Sequence, residues 1–546
     1  MALTKVTYSM LDGAALNVLD YGAAGNGVQD DTSFIQTAIN AAAGKVVYFP
    51  KGTYLISANL TVNVSNIKLV GDGADISTIK RANNSASEAG GLVVSQCQKV
   101  SIYGLGFDGN RANQSNTCSG VSFASAGGGV TDVILKDVAS YNWGTSDNDP
   151  STAPFAAGIQ LYSATQVLIE GCFASNNGHY GVTTYECKNI QIIGCQSNQN
   201  LRHGFGAAGT FRFVTSNNLA IDNGQQGIWY RNIEDGVIAN NVVRWTTTDS
   251  SVNSRTGIIL KRSTVPGEEA GNNICRNITL SNNVVVNASD TVTSPGTSKG
   301  IYFIANSGTP NDIVATGNVV ENCDNGFFMS NGDNINVSYN TIIGSKVYAI
   351  WDDGTNWSII NGNTIKNCVK TAIYSRGRYS AIKNNYIYSL TLDATNTYYG
   401  IHYLNRTDTV ISGNEVNTIN GTNQYLHAVF LDGAFISRNL CYHNQLKNST
   451  NAVVGKSIDF GTSGVSNRDW DNFDGDGFQP YADKRYIGQI YLGETQSVPG
   501  IFTGEGSPEN VVVARVGSLY LRSDGGPGTT LYVKEQFTNN TGWVAK

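Results

Sequence analysis

The side chains best suited to chemistry fall in two stretches, and each combines carboxylates with cations and large rings. The first holds His203, Trp229, Arg231, Glu234 and Asp235, then Lys261, Arg262, Glu268 and Glu269. The second holds Tyr302, then Trp351-Asp352-Asp353, then Tyr374 and Arg376. Two carboxyls can hydrolyse a glycosidic bond, one protonating the leaving oxygen and the other ionised, at about 5–5.5 Å apart for retention and about 6.5–9.5 Å for inversion. Glu234, Asp235, Glu268, Glu269, Asp352 and Asp353 are the candidate acids. Trp229, Tyr302, Trp351 and Tyr374 offer ring faces on which sugars stack. His203, Arg231, Lys261, Arg262 and Arg376 are candidates to hold substrate, the cations suiting acidic substituents. A second chemistry fits the same neighbourhood: a Tyr, His, Lys or Arg base takes the proton beside a uronate carboxylate while a cation stabilises the enolate. His203, Arg231, Lys261 and Tyr374 could serve there. In a protein that only binds, these acids would simply pair with surface cations.

What positions these residues is a repeat. A Gly or Ala followed by a strand-like triplet recurs at Gly158, Gly181, Gly204 and Gly227, 23 residues apart each time, and returns at Gly257, Gly300, Gly326, Ala349, Ala372, Gly400 and Ala428. A second series runs in phase with it, Gly171, Gly194, Asn217 and Asn240, each followed by Cys172, Cys195, Asn218 and Asn241. About 23 residues is one circuit of three short strands and three turns. Stacking such circuits at about 4.8 Å gives a parallel β-helix, with Asn ladders at the turns. Strand alternation then places the second residue after each marker outside, which makes Trp229, Ile259, Tyr302, Phe328, Trp351, Tyr374, His402 and Phe430 one outward row. Arg231 and Lys261 share an offset on adjacent circuits. Between Gly227 and Gly300 the period lengthens, so insertions are expected as loops beside the first stretch of candidates.

Composition agrees. The chain has 546 residues with 61 Gly, 61 Asn, 10 Pro and 3 Met, which suits short strands and many turns far better than helices. Its net charge is −6 and it has no basic run, so no nucleic-acid partner is expected. No apolar stretch approaches 18 residues, and Met1 to Met10 lack the apolar core of a secretory signal. Neither membrane insertion nor export by that route is expected. The nine cysteines show no CxxC pair and no zinc-like spacing, so they read as reduced, buried side chains. The stretch from Asn472 to Asp483 echoes a calcium loop without its first Asp or its Glu. No metal and no cofactor is expected.

Three parts are expected. Residues 1–45 form an N-terminal stub and a short capping helix over about 32–43, with Asp30 and Asp31 in structural roles at its start. Residues 46–455 form the solenoid. Residues 456–546, whose Gly517-Ser-Leu-Tyr-Leu-Arg-Ser and Thr530-Leu-Tyr-Val-Lys alternate between Gly-rich turns, form a small antiparallel β module for trimerisation or carbohydrate binding.

The segment from Leu16-Asn-Val-Leu-Asp-Tyr-Gly to Asp30-Asp-Thr-Ser-Phe-Ile, followed by Val47-Tyr-Phe-Pro-Lys-Gly-Thr-Tyr-Leu-Ile, closely resembles the opening of pectate-lyase-like right-handed β-helices in bacteriophage tailspikes. Thr4-Lys-Val-Thr-Tyr-Ser-Met and the last thirty residues are also similar to segments of phage tail proteins. The resemblance implies an all-β, right-handed parallel β-helix, a parallel homotrimer, and degradation of a host cell-surface polysaccharide. The expectation is therefore a virion protein, held by a phage tail or adaptor protein, that depolymerises a bacterial capsule or O-antigen chain at the cell surface by carboxylate-pair hydrolysis. The alternatives are a lyase acting on a uronate-containing capsule and a non-catalytic polysaccharide-binding adhesin.

Overall fold

The computed structural model describes residues 15–85, 90–123, 129–145, 156–246, 255–263, 274–288, 298–305, 310–388, 398–404, 407–417 and 499–546, with further strands between 426 and 491. The chain winds through three parallel sheets of 17, 17 and 15 strands among these residues. One circuit shows the pattern: Thr165–Glu170 lies in sheet 1, Phe173–Ser175 in sheet 2 and Tyr180–Tyr185 in sheet 3. Each strand pairs in register with its equivalent one circuit on, as Lys188–Ile193, Gln196–Asn198 and His203–Ala208 do. This is a parallel β-helix. Its interior is a continuous apolar column, including Ile169, Val182, Ile192, Phe205, Ile228, Ile258 and Ile301.

The recurring Gly or Ala has a steric cause. It sits where the chain enters sheet 3, and a Cβ there would point into the column: at Gly227 it would lie 2.1 Å from a Val243 methyl, at Gly257 2.3 Å from Val285, and at Gly300 2.3 Å from Val320. Only the smallest side chains fit that corner.

The in-phase Asn series is a buried hydrogen-bond ladder. Asn218, Asn241, Asn283, Asn318, Asn340, Asn363, Asn385 and Asn414 each have 0–2 % exposure. The Nδ2 of each of the first seven donates to the Oδ1 of the next at 2.9–3.0 Å. Each Nδ2 also donates to a carbonyl, for example Asn241 to Thr215 and Asn363 to Val337, both at 2.9 Å. Each Oδ1 also accepts the backbone N–H of the preceding rung, as Asn318 does from Asn283 at 3.0 Å. The amides inside the column are thus saturated, which is the condition for burying them.

The N-terminal helix spans Thr32–Asn40 and buries Ile35, Ala38 and Ile39. Its acids are structural, with roles that differ from a simple cap. Asp30 accepts from the Thr32 N–H at 3.1 Å and the Ser57 hydroxyl at 2.6 Å, whereas Asp31 turns back to the Ala24 and Gly25 N–H groups at 2.8 and 3.0 Å. Eight cysteines are free thiols, seven of them buried; the side chain of Cys441 lies outside the described residues. The parallel ladders continue past residue 455 through Ile458–Asp459, Arg468–Trp470 and Phe473–Asp474. Two compact units result, residues 1–475 and 476–546. The second has a five-stranded sheet, antiparallel except for the parallel pair Gly500–Gly504 and Leu519–Arg522, over Phe502, Tyr520 and Trp543.

Asn318→Ala strands the Asn283 amide and the Leu280 carbonyl in the column, at about 1–3 kcal/mol for each unsatisfied group. We expect a clear fall in its urea unfolding midpoint. Asn240, exposed and left-handed at a turn, tolerates Gly with little change.

Candidate active site

All the marker strands lie in sheet 3, and the outward row is continuous there. Trp229 pairs with Ile259, Ile259 with Tyr302, Tyr302 with Phe328, and so on through Trp351, Tyr374, His402 and Phe430. The rings stack along it: Tyr302 on Phe328 at 4.8 Å between centroids, Phe328 on Trp351 at 4.2 Å, then edge contacts to Tyr374 and His402. Trp351 Nε1 is buried without a hydrogen-bond partner. From Gln160 to Phe430 the row climbs ten rungs, roughly 48 Å at the interstrand spacing. That is the scale of a polymer.

Toward its N-terminal end the row becomes a compact cluster of different character. The His203 ring stacks on Trp229 at 5.4 Å and 7°, and the Arg231 guanidinium lies 5.0 Å over the same indole. Tyr180 sits 4.9 Å from His203 and 6.2 Å from Trp229, laid across Gly206, where a Cβ would come within 2.7 Å of its ring. Gly206 is the gap that admits that ring. Tyr180 and Tyr185 share a hydrogen bond, and Tyr185 stacks on Tyr162 at 4.9 Å. On the other side an Arg202 guanidinium N–H meets His179 Nε2 at 2.6 Å. Arg231 and Lys261 stand in register on adjacent rungs, followed by Arg262.

Electrostatics here suppresses charge on the rings. Burial, with the Arg202 charge, pushes His179 down to about 3. Burial, then the charges of His179 and Arg202, holds His203 well below the usual imidazole range, against a partial opposing effect from Gln226. Burial holds the Tyr180 phenol well above its usual value despite Arg202 and Arg231. His203 is thus neutral, with one ring nitrogen able to accept a proton, and its Nδ1 is buried without a hydrogen-bond partner.

The candidate acids are placed differently. Glu234 and Asp235 open a sheet 1 strand, off the sheet 3 row. Arg276 engages Glu234 at 2.5 Å, and Asp235 accepts from Asn277 at 2.8 Å. Glu234 also lines a cleft of about 360 Å³ with Glu186, Lys188 and Phe211. Asp353 faces out and pairs with Arg376 at 2.9 Å. Asp352 turns inward, fully buried, accepting from the Thr355 backbone and the hydroxyls of Thr355, Ser358 and Ser375. Strand alternation puts it under the sheet, where it braces a turn and cannot meet a polymer lying on the surface. Glu268 and Glu269 fall outside the described residues. Tyr302, Trp351, Tyr374 and Arg376 do share one face with the cluster. Among the described residues no His, Cys, Asp and Glu group could hold a metal, and no helix is long and apolar enough to cross a membrane.

Tyr180 escapes the sequence reading because strict alternation fails at the corner, whereas Tyr185 and Gly206 stand at outward offsets from their markers and His179 precedes its strand. The marker Gly and the residue after it both face in, so the residue before it faces out. Tyr180, His203, Gln226, Thr256 and Lys299 are in register as a second outward row. A Tyr or His directly before the marker is the signal.

The fold is a parallel β-helix, and residues 15–259 match the family model described as rhamnogalacturonase A/epimerase, pectate lyase-like. Among curated relatives, mannuronan C5-epimerase AlgE2 of Azotobacter vinelandii is 32 % identical over 39 % of this chain and 22 % of its own length. Alginate lyase 7 of the same organism is 27 % identical over 39 % of this chain and 23 % of its own. The SPbeta prophage-derived uncharacterized protein YomE of Bacillus subtilis is 24 % identical over 56 % and 42 %. The chain thus spans about a fifth of the length of the epimerase. Among solved structures, the A-module of A. vinelandii mannuronan C-5 epimerase AlgE4 covers 83 % of this chain and 99 % of its own, at 17 % identity and a TM-score of 0.40.

Because His179 and His203 are held below the ordinary imidazole value of 6.5, the unfolded chain binds protons first as pH falls. Their contribution to stability is complete above about pH 6.5 and declines below it. The denaturation midpoint therefore drops between pH 7.5 and 5, and His179→Gln makes that drop smaller.

Proposed function

We propose that this chain is a polysaccharide lyase that cleaves a uronate-containing bacterial surface polysaccharide by β-elimination. The observation that carries this reading is the buried cluster of neutral imidazole, raised-pKa phenol and guanidinium on sheet 3. A uronate lying on Trp229 sets its carboxylate against Arg231, with Lys261 one rung on. The carboxylate's negative charge favours the protonated imidazole, against the burial and the Arg202 charge that depress His203, and so raises its basicity. His203 takes the C5 proton through its unprotonated nitrogen, and Arg231 stabilises the enolate as charge develops. The electron pair forms the C4–C5 double bond, the C4–O bond breaks, and the Tyr180 hydroxyl protonates the departing oxygen. A phenol with a raised pKa suits the donor role, because it stays protonated until the leaving group needs it. Similarity to a C5-epimerase and an alginate lyase supports chemistry at C5. The hydrolytic reading has less support, since Glu234, Asp235 and Asp353 are each engaged by a basic or amide neighbour and Asp352 is enclosed.

The setting we propose is a phage tail: a homotrimer, carried on the virion by a tail or adaptor protein and acting at the bacterial surface. The tailspike-like opening segment and the prophage-derived relative support it.

Incubation with purified uronate-containing capsule distinguishes the chemistries. We expect chain shortening with ultraviolet-absorbing unsaturated ends, and a loss of about 10²- to 10⁴-fold in kcat in His203→Ala or Arg231→Ala. Glu234→Gln and Asp353→Asn stay near wild type. New reducing ends without absorbance would mean hydrolysis. Solvent deuterium at C5 without shortening would mean epimerisation, and binding alone would leave an adhesin.

A further inference from the structure

Where each circuit enters sheet 1 from sheet 3, one residue at the start of the sheet 1 strand adopts the left-handed backbone region, on several circuits three residues after another that does so, as in Ser163/Gln166 and Glu186/Asn189. This position is stacked in register from Asn66 to Asp408. Among the described residues the ladder has thirteen positions, and eleven carry Asn, Asp, Gln, Lys or Arg. The other two are adjacent: Trp357 at φ 52° and Tyr379 at φ 52°. Asn and Asp tolerate this backbone because their side chains bond locally; an aromatic ring does not, so the fold itself gives no reason for rings there. Both rings stay in water, 56 % and 44 % exposed, and they stack at 5.6 Å and 17°. The preceding rung carries Asn334, too short to cover an indole. The Arg378 guanidinium lies 5.4 Å over Tyr379.

A third ring marks the far corner of the same stretch of sheet 1. Tyr339, at φ 57°, stands in a ladder whose neighbours are Gly317 and Gly362, and it is 67 % exposed. Its ring rests on Gly362, where a Cβ would come within 2.6 Å. Between the corners the outward side chains include Ile359 and Asn361. Three exposed rings in strained backbone, gathered on consecutive rungs and nowhere else in these two ladders among the described residues, call for a ligand with flat apolar faces.

We propose that this corner is a second, non-catalytic saccharide-binding site, where Trp357 and Tyr379 take the C–H faces of sugar rings and Arg378 pairs with an acidic substituent. The ligand class rests on the polysaccharide reading above. Position supports it too: Trp357 lies four residues beyond Asp353 on the circuit that carries Trp351, so the corner borders the aromatic row of sheet 3. A long chain engaged at both places gains in effective concentration, whereas a short one does not.

The test is affinity electrophoresis of the full chain in gels containing polymannuronate, with dextran as neutral control, alongside sedimentation velocity. Wild type is retarded by polymannuronate. Trp357→Ala/Tyr379→Ala weakens retardation about fivefold to tenfold, the scale of a lost ring stack, and leaves turnover of short oligouronates and the sedimentation coefficient unchanged. His203→Ala abolishes turnover while keeping most of the retardation, so failure of the catalytic reading and failure of this site are separate results. Equal retardation of the double variant and wild type overturns the proposal. So does the absence of any retardation. A change of oligomeric state in the double variant would assign the rings to contact with a second copy instead, and overturns it as well.

Discussion

Register is the constraint on which everything else in this molecule depends. Parallel strands stacked at one spacing force each residue to sit over its equivalent one circuit away, so a side chain succeeds only if it can coexist with its own kind. Asparagine does so inside the column because its amide is donor and acceptor at once: each Oδ1 accepts from the Nδ2 and the backbone N–H of the preceding rung, and none is left over. A charged residue repeated at that position would face like charge at under 5 Å in an apolar interior. The corner Gly obeys the same constraint sterically, because the Val methyls of sheet 2 occupy the space a Cβ would need.

A scaffold of this kind makes a site by breaking its own repeat. On sheet 3 the outward row is aromatic for most of its length, and at its N-terminal end consecutive rungs supply different groups, a phenol, an imidazole and a guanidinium, around one gap at Gly206. Burial then sets their protonation, keeping His203 neutral and Tyr180 protonated side by side. Acids placed away from that cluster have the opposite fate. Each finds a partner from the next circuit, as Glu234 finds Arg276 and Asp353 finds Arg376, because register that stacks equals also stacks complements.

That logic explains what was legible in the sequence. Turn residues recur on every rung, so the 23-residue spacing revealed the β-helix, the Asn ladder and the outward row from Trp229 to Phe430. Within the site, His203, Trp229 and Arg231 could be named because two lie at marker offsets and one beside a marker. Tyr180 could not, since period-2 alternation assigns it to the wrong face; the corner turns two successive residues inward, and that shift follows from packing against sheet 2. Asp352 misled for the reverse reason: in Trp351-Asp352-Asp353 the middle residue is the inward one, and an acid inside an apolar column became visible only through the three hydroxyls that surround it.

The central claim is that uronate chemistry takes place on sheet 3 at His203 and Tyr180. A crystal structure of the protein with a bound, uncleaved oligouronate tests it directly. The account predicts a sugar ring against Trp229, its carboxylate hydrogen-bonded to Arg231, and its C5 hydrogen directed at a His203 ring nitrogen. An oligosaccharide found instead with its glycosidic oxygen beside Glu234 or Asp353, and with His203 untouched, would contradict it.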